Sequence, residues 1–377
     1  MKIIFKHLSI CLLFIFLATS SFGQLYINNK QLKDSSENTL SLRFENTYFI
    51  KDNEYSSQLL NNETYIGLFA KPTLEYYFTK NTKVNVGVFL LRYSGLNNFS
   101  KVTPIFSVQQ RITKHLDLVM GSIYGNDYHQ LDEPIFKIEN YFTNNVEYGA
   151  QFLYHSKYFD SDLWLNWEKY IFIGDPYQEQ FHLGWRSNIK YNINSLSISI
   201  PIQFYTLHKG GTIDSCPAPV ISILNGVGGI NFKYNFNKNT SLSIRPTVYL
   251  YNAISHPKSG PYALKLTNGE AYYLNLLFKS KYIDAIVGYW YARDFVAPRG
   301  EYLFQSLSIK DPSYYQKYRK VVPFKLIFKY PINKYIKLQL RTDDYYNVID
   351  KVIDPSYSLF LIINQDFFIT KIKENPR

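Results

Sequence analysis

The segment Phe78-Thr-Lys-Asn-Thr-Lys-Val-Asn-Val86 contains the pattern that decides the fold of this chain. An aromatic residue is followed by a few turn-forming residues and then by a strand in which apolar and polar side chains alternate. Asn, Asp and Ser suit tight turns because their side chains bond the nearby backbone. The pattern recurs with variations in six further segments: 112–118, 158–163, 191–198, 236–244, 278–285 and 330–338. The chain is therefore predicted to contain seven tight β-hairpins.

The segments that flank these turns alternate between apolar and polar residues with a period of two. In one of them Leu196, Ile198 and Ile200 are interleaved with serine residues. Segments of about ten residues with one apolar and one polar face are typical of transmembrane β-strands around a wet lumen. We predict sixteen strands, an even number as in bacterial single-chain barrels. They cover residues 39–50, 64–79, 83–94, 102–112, 116–124, 146–157, 162–172, 178–191, 195–207, 222–237, 240–252, 266–280, 283–294, 320–331, 335–346 and 356–368.

Short and long connections alternate along the chain. The tight turns follow the even-numbered strands, whereas the other connections are mostly longer and include 125–145, 208–221 and 295–319. This rhythm is typical of the periplasmic and extracellular ends of a membrane barrel, and it places both termini in the periplasm. The predicted fold is all-β, a transmembrane antiparallel up-and-down β-barrel of about sixteen strands with short periplasmic turns and long extracellular loops. Tandem secreted β-sandwiches are the alternative, but they need no such rhythm.

The composition of the chain agrees with a membrane barrel. Its 377 residues include 35 tyrosines and 28 phenylalanines. Many of them lie near predicted strand ends, as in the interfacial girdles of membrane barrels. No stretch approaches eighteen consecutive apolar residues, so no transmembrane helix is predicted. Cysteine is limited to Cys11 and Cys216, which excludes a disulfide scaffold and a multi-cysteine metal site.

The N-terminal residues 1–23 are predicted to be a signal peptide. A short basic start precedes an apolar run from Leu8 to Ala18, and small residues up to Gly23 suit cleavage. The run is too short to span a bilayer, so export is predicted. Residues 24–38 would then form a short periplasmic lead-in, 39–368 the outer-membrane barrel and 369–377 a polar C-terminal tail.

With this arrangement of strands and loops, the chain resembles Gram-negative outer-membrane β-barrel proteins and, by strand number, the sixteen-stranded porins. The resemblance covers roughly residues 39–368 and rests on architecture. The segment Tyr357-Ser-Leu-Phe-Leu-Ile-Ile-Asn-Gln-Asp-Phe-Phe368 resembles the final strand of the family, although a polar tail follows it. The resemblance implies an integral protein of the cell outer membrane that contacts membrane lipids and lipopolysaccharide.

Basic side chains on the polar face of the strands are candidates for a pore lining, because about sixteen strands generally enclose an aqueous channel. On that face basic residues outnumber acidic ones, and this excess of positive charge favours the passage of anions. Lys83, Lys279 and Lys337 lie beside turns and could instead extend to the interface. The pore-lining candidates are Arg43, Lys71, Arg111, Arg186, Lys190, Lys233, Arg245, Lys325, Lys329 and Arg341.

The predicted loop 125–145 is acidic. In general porins the corresponding loop folds into the pore, so the resemblance implies a constriction formed by Asp127, Asp132, Glu133 and Glu139. The wall residues that would oppose it are among Arg43, Lys71, Lys83 and Arg111. The residue pattern itself favours a solvated external loop. Carboxylates beside His129 could also coordinate a metal, but we predict neither a metal site nor a cofactor.

The function predicted from the sequence is passive diffusion of small hydrophilic solutes through a porin-like channel, with a preference for anions. A first alternative is a barrel without transport, which serves as a subunit or docking surface of an envelope complex. Partners would then include another envelope protein or further copies of the chain. Nucleic acid is excluded because an exported barrel does not meet it.

A second alternative is an outer-membrane hydrolase, which needs a serine within hydrogen-bond distance of a histidine on the barrel wall. The segment 256–260 lacks the His-x-Ser-Asn arrangement of barrel phospholipases and deacylases. His208 and Ser215 lie in a glycine-rich loop with no strand to fix them. We therefore predict no catalytic residues and no enzymatic activity. The candidates for such a pair are the histidines His155, His182, His208 and His256 and the serines Ser215 and Ser259.

Overall fold

The computed structural model describes Leu32 and residues 37–372. The predicted signal peptide (1–23), most of the predicted lead-in and the end of the predicted tail lie outside the described residues. The described chain forms seventeen β-strands in sequence: β1 (Thr39–Asn53), β2 (Glu63–Thr79), β3 (Thr82–Tyr93), β4 (Lys101–Thr113), β5 (Leu116–Ile123), β6 (Glu147–His155), β7 (Phe159–Lys169), β8 (Gln180–Ile193), β9 (Leu196–Lys209), β10 (Ile221–Gly229), β11 (Asn231–Asn237), β12 (Thr240–Ser255), β13 (Asn268–Lys279), β14 (Ile283–Arg293), β15 (Tyr318–Pro331), β16 (Ile336–Asn347) and β17 (Val352–Lys371).

The strands form one closed antiparallel sheet. Closure occurs because β1 pairs with β17, from Thr39 opposite Lys371 to Asn53 opposite Ser356. β10 and β11 are two parts of one spanning strand, since both pair with β9 and with β12. The predicted fold class, a barrel of sixteen spanning strands, is therefore confirmed. The last strand continues to Lys371, past the predicted end of the barrel at 368.

The two ends of the barrel differ in the length of their connections. Short turns at 80–81, 114–115, 156–158, 194–195, 238–239, 280–282 and 332–335 lie at the same end as Thr39 and Lys371. The connections at the other end are mostly longer and comprise 54–62, 94–100, 124–146, 170–179, 210–220, 256–267, 294–317 and 348–351. By the usual arrangement of such barrels, the first end is periplasmic and the second is extracellular.

Wall side chains alternate between the two faces of the sheet. On β12, Leu250 is 55% exposed on the outer face, whereas the adjacent Tyr249 and Tyr251 are buried on the inner face. Exposed apolar side chains recur around the outside, for example Phe106 and Leu274. Such an apolar outer band suits contact with lipid.

Three extracellular loops fold into the barrel and close its extracellular half. Leu59 in loop 54–62, Ile135 in loop 124–146 and Phe304 in loop 294–317 have no exposed surface. They belong to one apolar cluster with the wall residues Trp164 and Trp290. A wall of sixteen strands alone would leave an aqueous channel, so these loops are what fills it.

The helical parts of these loops are short. They comprise α1 (Asn126–His129), α2 (Asn140–Thr143) and a 3-10 turn (Tyr302–Phe304). Among the described residues, no helix is long and apolar enough to cross a membrane.

Candidate active site

The ten predicted pore-lining cations lie on wall strands, and carboxylates neutralise most of them. Lys325 is paired with Glu133 and lies 3.4 Å from Asp343, and Lys233 is half-buried on β11. The predicted anion preference depends on positive charge that these carboxylates largely offset. The other nitrogen–oxygen distances are 2.7 Å for Arg43–Glu45, 2.6 Å for Lys71–Glu45, 3.7 Å for Arg111–Asp117, 2.8 Å for Arg186–Asp160, 2.5 Å for Lys190–Asp160, 2.5 Å for Arg245–Asp132, 2.6 Å for Lys329–Asp284 and 2.5 Å for Arg341–Asp343.

The acidic loop 124–146 lies inside the barrel and not in solvent, contrary to what its residue pattern favours. Wall cations that are distant in sequence offset the cost of burying its carboxylates. Of the expected opposing residues, Lys71 reaches the loop through the side-chain oxygen of Asn145, at 2.8 Å. The side chain of Asp127 lies outside the described part of the chain. The pairs that hold the loop are Asp132–Arg245 at 2.5 Å, Glu133–Lys325, and Glu139–Lys51 at 2.9 Å.

His129, the last residue of α1, lies between two wall carboxylates. Its Nδ1 is 2.7 Å from Asp162 and its Nε2 is 3.2 Å from Glu147, while the ring stacks on Trp164. Burial lowers the pKa of His129, but the two carboxylates outweigh burial and raise the pKa to about 9. His129 is therefore a buried cation that fixes the loop. Among the described residues, no group of three or more His, Cys, Asp or Glu side chains is placed to hold a metal ion.

We expect the midpoint temperature of unfolding to fall as the pH rises from 6 to 9.5. The pKa of His129 is raised from 6.5 to about 9, so its ionic contacts stabilise the folded state fully below about pH 6.5 and are lost as the pH rises through about 9. A shift of this size corresponds to about 3 kcal/mol. Thermal scans of the refolded barrel would measure it. His129→Gln should reduce the difference in midpoint temperature between the two pH values. An unchanged difference would contradict the assignment of His129 as a buried cation.

A serine–histidine pair lies on the barrel wall. His208, near the end of β9, is the cross-strand partner of Ser222 at the start of β10, and its Nδ1 is 2.8 Å from the serine Oγ. Its Nε2 is 2.8 Å from the carbonyl oxygen of Gly210. Since a carbonyl oxygen can only accept, Nε2 carries the proton and Nδ1 accepts from the Ser222 hydroxyl. This is the arrangement of a nucleophile beside its general base.

Both side chains of the pair lie on the outer, lipid-facing side of the wall. On β9, Tyr205 is buried towards the lumen. Its neighbour Phe204, which lies on the same face as His208, is 40% exposed on the outer side. The His208 ring stacks on Phe181 of β8 at a centroid distance of 4.6 Å, and Phe181 stacks on Trp167 of β7 at 5.0 Å. Strand pairing, a backbone acceptor and an aromatic stack therefore fix the ring. Loop 210–220 is extracellular, so the pair lies at the outer rim, where headgroups meet acyl chains.

The other described histidines do not bond a serine hydroxyl. His182 bonds Glu168 at 2.9 Å, and His155 bonds the hydroxyl of Tyr128 at 2.9 Å. Ser215, which the sequence places near His208, instead donates to the backbone carbonyls of residues 174 and 175. His208 thus lies on β9 and not in the glycine-rich loop expected from the sequence, and its partner Ser222 is not among the serines singled out there. The register of the β9–β10 hairpin is the signal that would have identified the partner.

The fold defines the class: an outer-membrane β-barrel protein, as predicted, which carries a hydrogen-bonded serine and histidine on the outer face of its wall. The chain belongs to the lipid A 3'-O-deacylase-type family, whose model matches residues 32–372. The expectation of no enzymatic activity is therefore wrong, because this family is named for an enzyme. No curated protein matches the chain.

Solved outer-membrane proteins share the fold. The outer membrane protein OprD from Pseudomonas aeruginosa is 11% identical with a TM-score of 0.51, over 94% of this chain and 98% of that one. A loop-deletion mutant of OmpT from Vibrio cholerae is 10% identical with a TM-score of 0.51, over 87% of this chain and 100% of that one. At such low identity, the likeness concerns the architecture alone.

Proposed function

We propose that this protein hydrolyses an ester-linked acyl chain of lipid A, with Ser222 as the nucleophile and His208 as the general base. The 2.8 Å hydrogen bond from Ser222 Oγ to His208 Nδ1 carries the proposal. The family name supplies the substrate class. The position of the pair supports it as well, because a lipid in the outer leaflet can reach the wall from the side without entering the lumen.

In this proposal Ser222 Oγ attacks the ester carbonyl carbon while His208 Nδ1 takes the hydroxyl proton. The tetrahedral intermediate then breaks the bond to the sugar oxygen, which leaves with the proton from His208. Water, deprotonated by the same nitrogen, attacks the acyl-serine ester and releases a fatty acid and free Ser222. Throughout, the carbonyl oxygen of Gly210 keeps the imidazole in the required tautomer.

Passive diffusion through the lumen is the weaker candidate function. The strand number supports a channel, but the apolar cluster formed by three inward-folded loops occupies the extracellular half. The lipid-facing pair lies on the other side of the wall and needs no open lumen.

Ser222→Ala is expected to lower the release of fatty acid from lipid A by about 10³-fold or more, because the nucleophile is lost. Purified barrel would be incubated with lipid A in detergent micelles, and the loss of one acyl chain followed by mass spectrometry. Ser215→Ala is the matched control, since Ser215 lies in the neighbouring loop and bonds only backbone carbonyls among the described contacts. A folded wild-type barrel that releases no fatty acid, or equal activity of Ser222→Ala and wild type, would overturn the proposal.

A further inference from the structure

Four lysines on neighbouring strands lie on the inner face of the barrel, close to its periplasmic end. Strand alternation gives their direction: Lys279 shares a face with the buried Tyr273 of β13, and Lys337 shares a face with the buried Gln339 of β16. Both side chains therefore belong to the lumen and not to the outer interface. We call the set the lysine arc, and its members are Lys233 on β11, Lys279 on β13, Lys329 on β15 and Lys337 on β16.

The lysine arc is continuous across the sheet. Opposite and diagonal neighbours on one face of a sheet lie within reach of long side chains. The register therefore gathers four ammonium groups in one region of the lumen. In the following series each residue is opposite or diagonal to the next: Lys233, Ser241, Lys279, Asp284, Lys329 and Lys337.

The tilt of the strands places the lysine arc at one level of the lumen. From β11 to β16, each lysine lies two residues closer to the periplasmic end, in register, than the lysine before it. Cross-strand partners followed once around the barrel from β1 to β17 rise towards the extracellular end, as the stagger of a tilted barrel requires. The descent of the arc offsets this rise, so its members border the same site.

Described carboxylates offset only part of the positive charge here. Asp284 lies 2.6 Å from the Nζ of Lys329, whereas Lys233 is half-buried and forms no ion pair with any described residue. In the stretches that carry the arc, Asp284 is the one acidic residue; these stretches are 231–241, 275–286 and 327–339. On the wall across the lumen, each of these cations lies within 3.7 Å of a carboxylate: Arg43, Lys83 and Arg111.

Two neutral hydrogen-bond donors beside the lysine arc have no partner. They are the Ser241 hydroxyl and the side-chain nitrogen of Gln339, although each residue is only 1% exposed. Ser241 is opposite Lys279, and Gln339 is opposite Lys329. A buried polar group without a partner calls for an explanation, and a bound ion is one. Both groups can donate to an anion that lies against the arc.

We propose that the lysine arc binds a small phosphate-type oxyanion, either inorganic phosphate or a soluble phosphate monoester. Lysine is a common phosphate ligand, and a phosphate group has enough oxygens to accept from the ammonium groups, Ser241 and Gln339 together. The apolar cluster fills the extracellular half of the lumen, so the ligand enters from the periplasm. The site goes beyond the proposed hydrolase, since Ser222 and His208 lie on the other face of the wall.

Lys233→Gln tests the site by removing one charge and keeping a polar side chain. We expect the Kd of inorganic phosphate to rise by about tenfold or more, because hydrogen bonds between charged groups have effects of this size. Isothermal titration calorimetry of the full-length barrel in detergent, at pH 7 and constant ionic strength, would measure it. Ser241→Ala leaves every charge in place and should still weaken phosphate binding, by a smaller factor.

Lys83→Gln is the matched control for the loss of a charge. Lys83 lies on β3, across the lumen, 3.5 Å from the carboxylate of Glu75. Its removal should change the Kd of phosphate by no more than about twofold, because salt screens charges at such a distance. Retention of the heat-modifiable band in gel electrophoresis would check that each variant is folded.

The outcomes separate a built site from a diffuse positive potential. A folded wild-type barrel that binds no phosphate would overturn the proposal, and so would an equal rise in Kd for Lys83→Gln. Chloride that competes at the same concentrations would also overturn it. Glycerol 3-phosphate that binds as tightly as inorganic phosphate would support a soluble phosphate monoester as the ligand, and weaker binding would support the free ion. Release of fatty acid from lipid A is a separate readout, so failure here leaves the proposed hydrolase untouched.

Discussion

His208→Gln is expected to lower the kcat of acyl-chain release by about 10³-fold or more, with the barrel still folded. Glutamine keeps a polar side chain at this position but cannot take the proton of Ser222. The serine is then left with the reactivity of an ordinary alcohol. The variant also loses the ring stack on Phe181, a contact on the outer surface with a small expected effect on stability. Initial rates of fatty-acid release would measure the effect.

A fluorophosphonate probe gives this variant a second readout that does not depend on lipid A. Labelling of Ser222 should be slow in His208→Gln and fast in wild type, because the probe reacts with an activated serine. His256→Gln is the control: its ring lies in an extracellular loop and bonds the carbonyl oxygen of Pro257. Wild-type labelling and hydrolysis by His208→Gln would show that another group is the base. An equal loss in His256→Gln would point to a general effect of losing a histidine.

The fold could be predicted because its decisive information is local. Each hairpin needs only a turn and two alternating segments, so a predicted strand such as 64–79 agrees with the observed Glu63–Thr79 within a residue. The interruption at Ile230 was not predicted. It occurs beside Pro246 of β12, which accepts a hydrogen bond from the N–H of Ile230 but has no N–H to donate in return, and after two consecutive glycines. That effect acts across strands, which alternation within one segment cannot reveal.

The contents of the lumen and the candidate site depend on contacts between distant parts of the chain. Glu139 is held by Lys51 of β1, and no local pattern distinguishes such a carboxylate from a solvated one. His208 and Ser222 are separated by an extracellular loop and become neighbours only through the register of β9 and β10. A search for serine close to histidine in sequence therefore finds Ser215, whose hydroxyl is directed at backbone carbonyls. Strand pairing, more than residue composition, determines this site.

The intact protein is expected to give no steady ohmic current in a planar lipid bilayer. Its extracellular half is filled by the apolar cluster that contains Leu59, Ile135 and Phe304, all without exposed surface. A variant in which residues 126–143 are replaced by a short Gly-Ser linker should conduct in resolved steps. The replacement removes Ile135 and Phe142 from the two apolar clusters of the lumen. It leaves the sixteen-stranded wall, which alone would enclose an aqueous channel.

The open pore of the same variant should prefer anions. In the intact protein, by contrast, carboxylates neutralise most of the wall cations. Deleting the loop removes the carboxylates that face Lys51, Arg245 and Lys325. Cations that line an open pore raise the local concentration of anions, so the reversal potential in a salt gradient should shift in that direction. Shortening loop 94–100, whose side chains are exposed, is the matched control and should leave the barrel silent. Steady current from the intact protein would mean that its loops leave the lumen open. If the variant without residues 126–143 is folded but carries no current, the remaining loops suffice to close the lumen.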